Sequence, residues 1–428
     1  MALLTYRLLL IFLLPVVLLA AILRSLSQPA YRQRLHERLG IVPNKFRSGG
    51  IVIHGASVGE VLALKPFINQ CLAEFPNLPI TVTTFTPTGS EQVQKIFGDR
   101  VQHCYLPLDV WPCTTMFLTK LKPKALVVME TELWPNLVAQ AHKLNTKLLL
   151  INGRISDKSV TSYQKFSALI KPCLAKFDQV LAQSEANKER LIALGARQAH
   201  CHNIGNLKYD ISEGSDTKVK YQTLSPMFPQ ARPVWLLASS HEGDEQLVLD
   251  AYRKAREAHS ELLLVIVPRH PERFDKVAQL LAQEGFSYQR RSNAQPIMSE
   301  TQVWLMDSLG ELLAAYQLAN IVTIGGTFST IGGHNPLEPA LYQKPTIVGS
   351  DMANFAEVHQ QLVQQNGIIT LAHQDNKQQL ALQLSQQVRQ LLVNNTQAQT
   401  LGSNAYQVVK ANQGCSERTL AALKTELS

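Results

Sequence analysis

The 428-residue chain has little cysteine and no arrangement of it that points to chemistry. The six cysteines (Cys71, Cys104, Cys113, Cys173, Cys201, Cys415) are scattered, with no C-x-x-C pair. That excludes a disulfide framework and a thiolate metal site, and fits reduced thiols. No G-x-G-x-x-G is followed by an acid about 20 residues on, which argues against a nicotinamide or flavin domain. Walker A, D-x-D-like and H-E-x-x-H patterns are also missing. The chain has no low-complexity tract and no internal repeat. Charged residues make up 17% and hydrophobic residues 45%, a globular balance in a chain long enough for two or three domains.

The net charge of +8 is unevenly placed. Residues 1–48 hold seven basic residues and one acid, a net +6, so the other 380 residues carry only +2. Basicity confined to one end gives no nucleic-acid-binding face. The same end holds Leu8–Leu23, LLLIFLLPVVLLAAIL, sixteen residues without a charge. As a helix this run is roughly 24 Å long, short of a hydrocarbon core of ~30 Å. Leu3–Arg7, with Arg7 snorkelling, extends it toward a full span. The pattern predicts a membrane anchor over 1–25 and a basic juxtamembrane segment over 26–48. The positive-inside rule then puts the bulk of the chain in the cytoplasm. A cleaved signal peptide is the rival reading, though no clean A-x-A site follows. A helix lying in the interface is the third.

From residue 49 apolar strand-like runs alternate with helical patterns. The predicted strands are 51–54, 80–84, 125–129, 147–151 and 179–182, then 234–238, 262–267, 303–306, 321–324 and 345–348. Strands alternating with helices mean parallel sheets covered on both faces. The polar, proline-punctuated stretch 207–233 reads as a linker. The expected fold is therefore α/β, with doubly wound domains over 49–206 and 234–428 facing a central cleft. Ligands should bind at the carboxyl ends of the strands.

The residues just after those strands carry the candidate chemistry. The first strand runs into HGASVGE, where Ser57-x-x-Glu60 fits a capping box and Glu60 also fits a reactive carboxylate. The helix N-terminus is expected to keep it ionised. METELWPN places Glu130 and Glu132 after another strand, although helix N-termini are enriched in acids anyway. Asn152-Gly153-Arg154 is either a plain turn or part of a site, and Lys208 in GNLKYD either a linker lysine or a functional cation. In the second half SSHEGDE, PRHPERF, MDSLGEL and GGTFSTIGGHNPLEPA follow strands. Two Gly-Gly pairs offer backbone N–H groups to an anion, and Asn335-Pro336-Leu337-Glu338 looks like a helix start that holds a phosphate. Glu338 would accept from ribose hydroxyls. His54, His241, His270 and His334 read as dispersed loop histidines.

In order and spacing, HGASVGE, METELWPN, GNLKYD, PRHPERF and GGHNPLEPA resemble the 3-deoxy-D-manno-octulosonic acid (Kdo) transferases over essentially the whole chain. The resemblance implies a GT-B fold, with two Rossmann-like domains behind an N-terminal membrane anchor. It implies inverting transfer of Kdo from CMP-Kdo to the lipid A precursor lipid IVA, in lipopolysaccharide synthesis at the cytoplasmic face of the inner membrane. No metal or other cofactor and no nucleic-acid partner is implied. On the matching positions Glu60 would be the catalytic base, with Glu130 and Lys208 stabilising the transition state. Pro268-Arg269, Leu309-Gly310-Glu311 and Asn335-Pro336-Leu337-Glu338 would bind CMP. The phosphates of a lipid acceptor would favour the basic stretch 24–47. Another GT-B transferase, using a UDP-sugar and a lipid acceptor, is the alternative reading.

Overall fold

The computed structural model describes residues 1–27, 32–211, 213, 216–229 and 232–428. The chain forms two compact units, one of residues 1–210 with 412–428, the other of 211–411. The first holds seven strands: β1 (Ile51–His54), β2 (Ile80–Thr84), β3 (Gln102–Tyr105), β4 (Ala125–Met129), β5 (Lys147–Gly153), β6 (Gln179–Ala182) and β7 (Cys201–Asn203). All pair in parallel, in the order β3-β2-β1-β4-β5-β6-β7. The second unit holds β8 (Val234–Ser240), β9 (Leu263–Pro268), β10 (Tyr288–Arg290), β11 (Val303–Leu305), β12 (Ile321–Ile324), β13 (Thr346–Val348) and β14 (Ile369–Thr370). These are also parallel, in the order β10-β11-β9-β8-β12-β13-β14.

The central strands are continuous apolar runs because both sheet faces are covered. Ile51, Ile53, Val127 and Leu149 pack on one face of the first sheet, and Val52, Leu126, Val128 and Leu150 on the other. In the second unit Trp235, Leu237, Leu264 and Ile266 pack on the helices Asp244–Arg256 and Lys377–Val393. Each sheet changes direction of winding once, at β1/β4 and at β8/β12. Such a switch point leaves a crevice at the carboxyl ends of its two strands.

The stretch 207–233, expected as a linker, is partly built into the fold. Thr217–Leu224 is a helix with Leu224 buried, and Ile297 N donates to Met227 O at 2.9 Å. The last helix, Cys415–Leu427, sits apart from the domain its sequence position suggests. It packs in the first unit, where Asp210 caps it through the N–H groups of Gly414 (2.7 Å), Cys415 (3.2 Å) and Ser416. At its far end Glu426 accepts from Lys147 at 3.0 Å and Gln179 at 2.9 Å.

Residues Ala2–Ser27 form one helix, but among the described residues no helix is long and apolar enough to cross a membrane. Its charge-free run is shorter than a bilayer core, as its sixteen residues require. Arg7 does not snorkel: its Nε donates to Asn136 Oδ1 at 2.9 Å and its guanidinium lies over Trp111. Leu4, Leu8, Phe12, Val16 and Leu19 remain exposed. Two of the arginines in the basic stretch are structural. Arg34 pairs with Glu37 at 2.8 Å, and buried Arg38 donates to Phe85 O at 2.7 Å and stacks on Tyr105. Their guanidinium groups are committed to the protein rather than to acceptor phosphates.

Candidate active site

At the β1/β4 switch point of the first unit, β1 runs into the helix Val58–Glu74. Ser57 is its N-cap residue, yet its side chain makes no cap bond. Instead Ser57 Oγ donates to Glu60 Oε1 at 2.9 Å, while Glu60 Oε2 accepts from Ala56 N at 2.9 Å. Neither bond of the expected capping box forms; the two contacts converge on the carboxylate instead. The net direction opposes the one expected from the helix terminus. Burial pushes its carboxyl above the ordinary value, with the neighbouring Glu130 charge adding, against the bonds from Ala56 and Ser57 and the nearby His54. A base raised from the usual carboxylate range is a stronger proton acceptor when ionised.

Glu130 follows β4 with φ at 57°, the left-handed region that a non-glycine residue rarely adopts. Its N–H donates to Ile151 O at 2.9 Å, and its carboxylate meets Arg154 Nε at 3.1 Å. Thr131 Oγ1 bonds Arg154 O at 2.9 Å from the same loop. Asn152, also left-handed at φ 51°, accepts from Leu207 N at 2.9 Å through Oδ1. Gln183 bridges Asn152 O (3.0 Å) and Asn206 Nδ2 (3.1 Å), and Asn206 Oδ1 accepts from Lys208 N at 2.9 Å. The Asn152-Gly153-Arg154 turn therefore holds Glu130 with one residue and the Lys208 segment with another. Sequence reasoning left that turn open; its signal was a polar triplet directly after a buried strand. The side chains of His54 (Nε2), Trp134 (Nε1) and Asn152 (Nδ2) hold buried atoms without hydrogen-bond partners among the described residues. Glu132 lies 3.9 Å from His54 Nε2.

At the β8/β12 switch point of the second unit, a Cβ on Gly325 would fall 2.5 Å from Ser239 O, so the two strand ends approach as only glycine allows. Asp244 Oδ2 ties them by accepting from His241 N (2.8 Å) and Gly326 N (2.7 Å). Burial pushes the Asp244 carboxyl up to about 6. Buried Glu245 grips Arg273 Nη2 through both oxygens at 2.9 Å. The sequence reading named neither acid. It also took the histidines as dispersed, whereas His241 Nε2 lies 2.7 Å from His334 Nε2, the near-parallel rings (7°) meeting edge to edge with centroids 5.0 Å apart, and His270 is edge-on to His241 at 5.2 Å.

The expected CMP-binding residues gather in part. Arg269 N donates to Ser240 O at 3.0 Å just after Pro268 ends β9. Arg269 and Asn335 both act on Glu338, and Tyr316 donates to it. Burial nevertheless pushes the Glu338 carboxyl up to about 7. Tyr316 lies on the helix Leu312–Leu318, which Leu309-Gly310-Glu311 precedes. Glu311 is engaged by Arg291 at 3.0 and 3.1 Å and by Ser308, which fixes its carboxylate within the loop. The expected helix start is displaced: Pro336 is the N-cap residue, and Asn335 Oδ1 accepts from Leu337 N at 3.1 Å. The helix Leu337–Leu341 has only five residues, too few for a strong dipole toward a phosphate. Positive charge at this edge comes from Arg269 instead. Among the described residues no group of three or more His, Cys, Asp or Glu side chains is placed to hold a metal ion.

Residues 33–211 match the family model described as 3-deoxy-D-manno-octulosonic-acid transferase (kdotransferase). A 3-deoxy-D-manno-octulosonic acid transferase of Haemophilus influenzae is 39% identical over 99% of this chain and 98% of its own length. The chain belongs to the Kdo transferase family. It is a glycosyltransferase. Among solved structures, the C-terminal CMP-Kdo binding domain of WaaA from Acinetobacter baumannii is similar at 30% identity and TM-score 0.40, covering 45% of this chain and 97% of that one. The UDP-GlcNAc 2-epimerase of Neisseria meningitidis shares the fold at TM-score 0.57 and 14% identity, over 88% of this chain and 100% of that one. Two parallel α/β units of this kind are those expected of a GT-B Kdo transferase.

Proposed function

We propose that the protein transfers Kdo from CMP-Kdo to lipid IVA, with inversion, in lipopolysaccharide synthesis. The observation that carries this reading beyond the family is Glu60, a carboxylate at a switch point whose burial raises its proton affinity. Glu60 takes the proton from the attacking acceptor hydroxyl. That oxygen bonds to the anomeric carbon on the face opposite the breaking bond, and CMP leaves with the phosphate oxygen. A positioned base is worth roughly 10²–10⁴ in rate. Glu130 opposes the positive charge that develops on the sugar, and Lys208 neutralises charge on the phosphate or on the Kdo carboxylate. In the second unit Pro268-Arg269, the 309–311 loop and Asn335–Glu338 hold CMP, whose single phosphate Arg269 balances without a metal.

The helix Ala2–Ser27, with apolar side chains exposed, seats the protein on the cytoplasmic face of the inner membrane, where its lipid acceptor lies. The test is incubation with lipid IVA and CMP-Kdo generated in place, with divalent ions chelated in the transfer step. The lipid is weighed by mass spectrometry beside Glu60→Gln. A gain of whole Kdo units, absent from the variant, supports donor, acceptor and base together. An unchanged lipid from protein that binds CMP sinks the acceptor assignment.

A further inference from the structure

The histidines at the β8/β12 switch point have no part in the reading above. His241 and His334 face each other through Nε2 atoms 2.7 Å apart. Such a contact needs one N–H and one bare nitrogen, so one proton lies between the rings. The pair can accept a third proton on an outer nitrogen and keep this bond. A fourth would set two N–H groups against each other and break it.

The surroundings disfavour charge on the empty pair. Arg269, His270 and Arg273, all after β9, bear on it; burial, His270 and the two arginines lower His241, while burial, His241, Arg269 and His270 push His334 down to about 4. Of the opposing charges, the exposed Glu242 lies 3.7 Å from Arg273 and the exposed Glu272 lies 3.9 Å from His270, and the buried ones are committed. Asp244 accepts from two backbone N–H groups, Glu245 grips Arg273, and Asp351 after β13 accepts from Gly332 N at 2.7 Å. Glu338, after β12, is partly buried and bonded to Tyr316. Arg269 is exposed and, unlike Arg273 and Arg291, forms no ion pair among the described residues. An anion drawn to Arg269 would reverse the local field at both rings.

We propose that the His241–His334 pair is a proton-accepting anion subsite, taking up one proton when the phosphate of a cytidine nucleotide docks beside Arg269. The proposal rests on the donor reading, and its test separates the two. The full-length protein is titrated calorimetrically with CMP at pH 7.5 in HEPES and in Tris, whose ionisation enthalpies differ. Expected is uptake approaching one proton per CMP, with affinity falling by up to about tenfold per pH unit above that point. Because burial also pushes the Glu338 carboxyl up to about 7, nitrogen-15 spectra of labelled histidine locate the proton. His241→Gln and His334→Gln assign the two rings. One ring should turn from neutral imidazole to imidazolium on saturation with CMP. Binding with both rings still neutral overturns the proposal and leaves the donor reading standing. No binding of CMP overturns both.

Discussion

Arg154 Nε lies 3.1 Å from Glu130 Oε2, and this contact links two adjacent strand ends of the first unit. Arg154 is nearly half exposed at 46%, so solvent screens part of the attraction. Its value is positional, since Glu130 sits on strained backbone and its carboxylate needs an aiming partner. Arg154→Gln is expected to lower kcat by up to about tenfold, the scale of one charge-assisted bond after screening, with little change in KM for the donor. A variant with unchanged kcat would show that Glu130 is aimed without it.

Glu60 ties stability to activity. Its folded-state proton affinity is raised, so the neutral form is favoured in the folded protein. The stabilisation is full below the unfolded carboxylate value and is lost as pH rises through the raised one. Glu60→Gln keeps an acceptor for Ala56 N and removes the buried charge. It should abolish transfer by about 10²–10⁴-fold and yet melt no lower than the parent at pH 7.5. A large fall in melting temperature would show the carboxylate to be mainly structural.

Asp109 works in a similar sense beneath the N-terminal helix. It is buried, accepts from Tyr6 at 3.0 Å and from the N–H groups of Asn136 and Leu137 at 3.0 and 2.8 Å, and its carboxyl is pushed up to about 6. Stability should therefore fall as pH rises from about 4 through about 6. Asp109→Asn should flatten that part of a urea-midpoint profile. Asp109→Ala should cost about 1–3 kcal/mol, because the Asn136 and Leu137 donors lose their acceptor. Equal slopes in parent and Asp109→Asn would remove Asp109 from the account.

Asp210 is the remaining test case. It caps the last helix through three backbone N–H groups. Asp210→Ala is expected to cost about 1–2 kcal/mol. Limited proteolysis should then cut near 412–416 first. Unchanged cleavage would show that packing alone holds that helix.

All ten predicted strands are present, most within a residue or two, because central parallel strands are continuous apolar runs. The four missed strands, β3, β7, β10 and β14, are the edges of the two sheets. Their sequences, QHCY, CHN, YQR and IT, are short and mixed, since an edge is covered on fewer sides. The site was legible in the same uneven way. Glu60, Glu130 and Arg269 follow long apolar runs and stand out. The His241–His334 contact joins residues 93 apart that only the β8/β12 crossing brings together, and no local pattern records it. The direction of Glu60's proton affinity was also hidden, because a capping motif shows the helix terminus but not the depth of burial.

The chain leaves the first unit after Asp210 and returns at Asn412, so that unit is built from two separate segments of the chain. Domains emerge from the ribosome N-terminus first. Here the first-made sheet must wait through some two hundred further residues for the helix that Asp210 caps and Lys147 pins. The second unit, one uninterrupted segment, can fold in that interval. The first unit's completion thus waits on the last residues made, and a chain truncated after residue 411 would keep every residue of the second unit while its first unit lacked the closing helix.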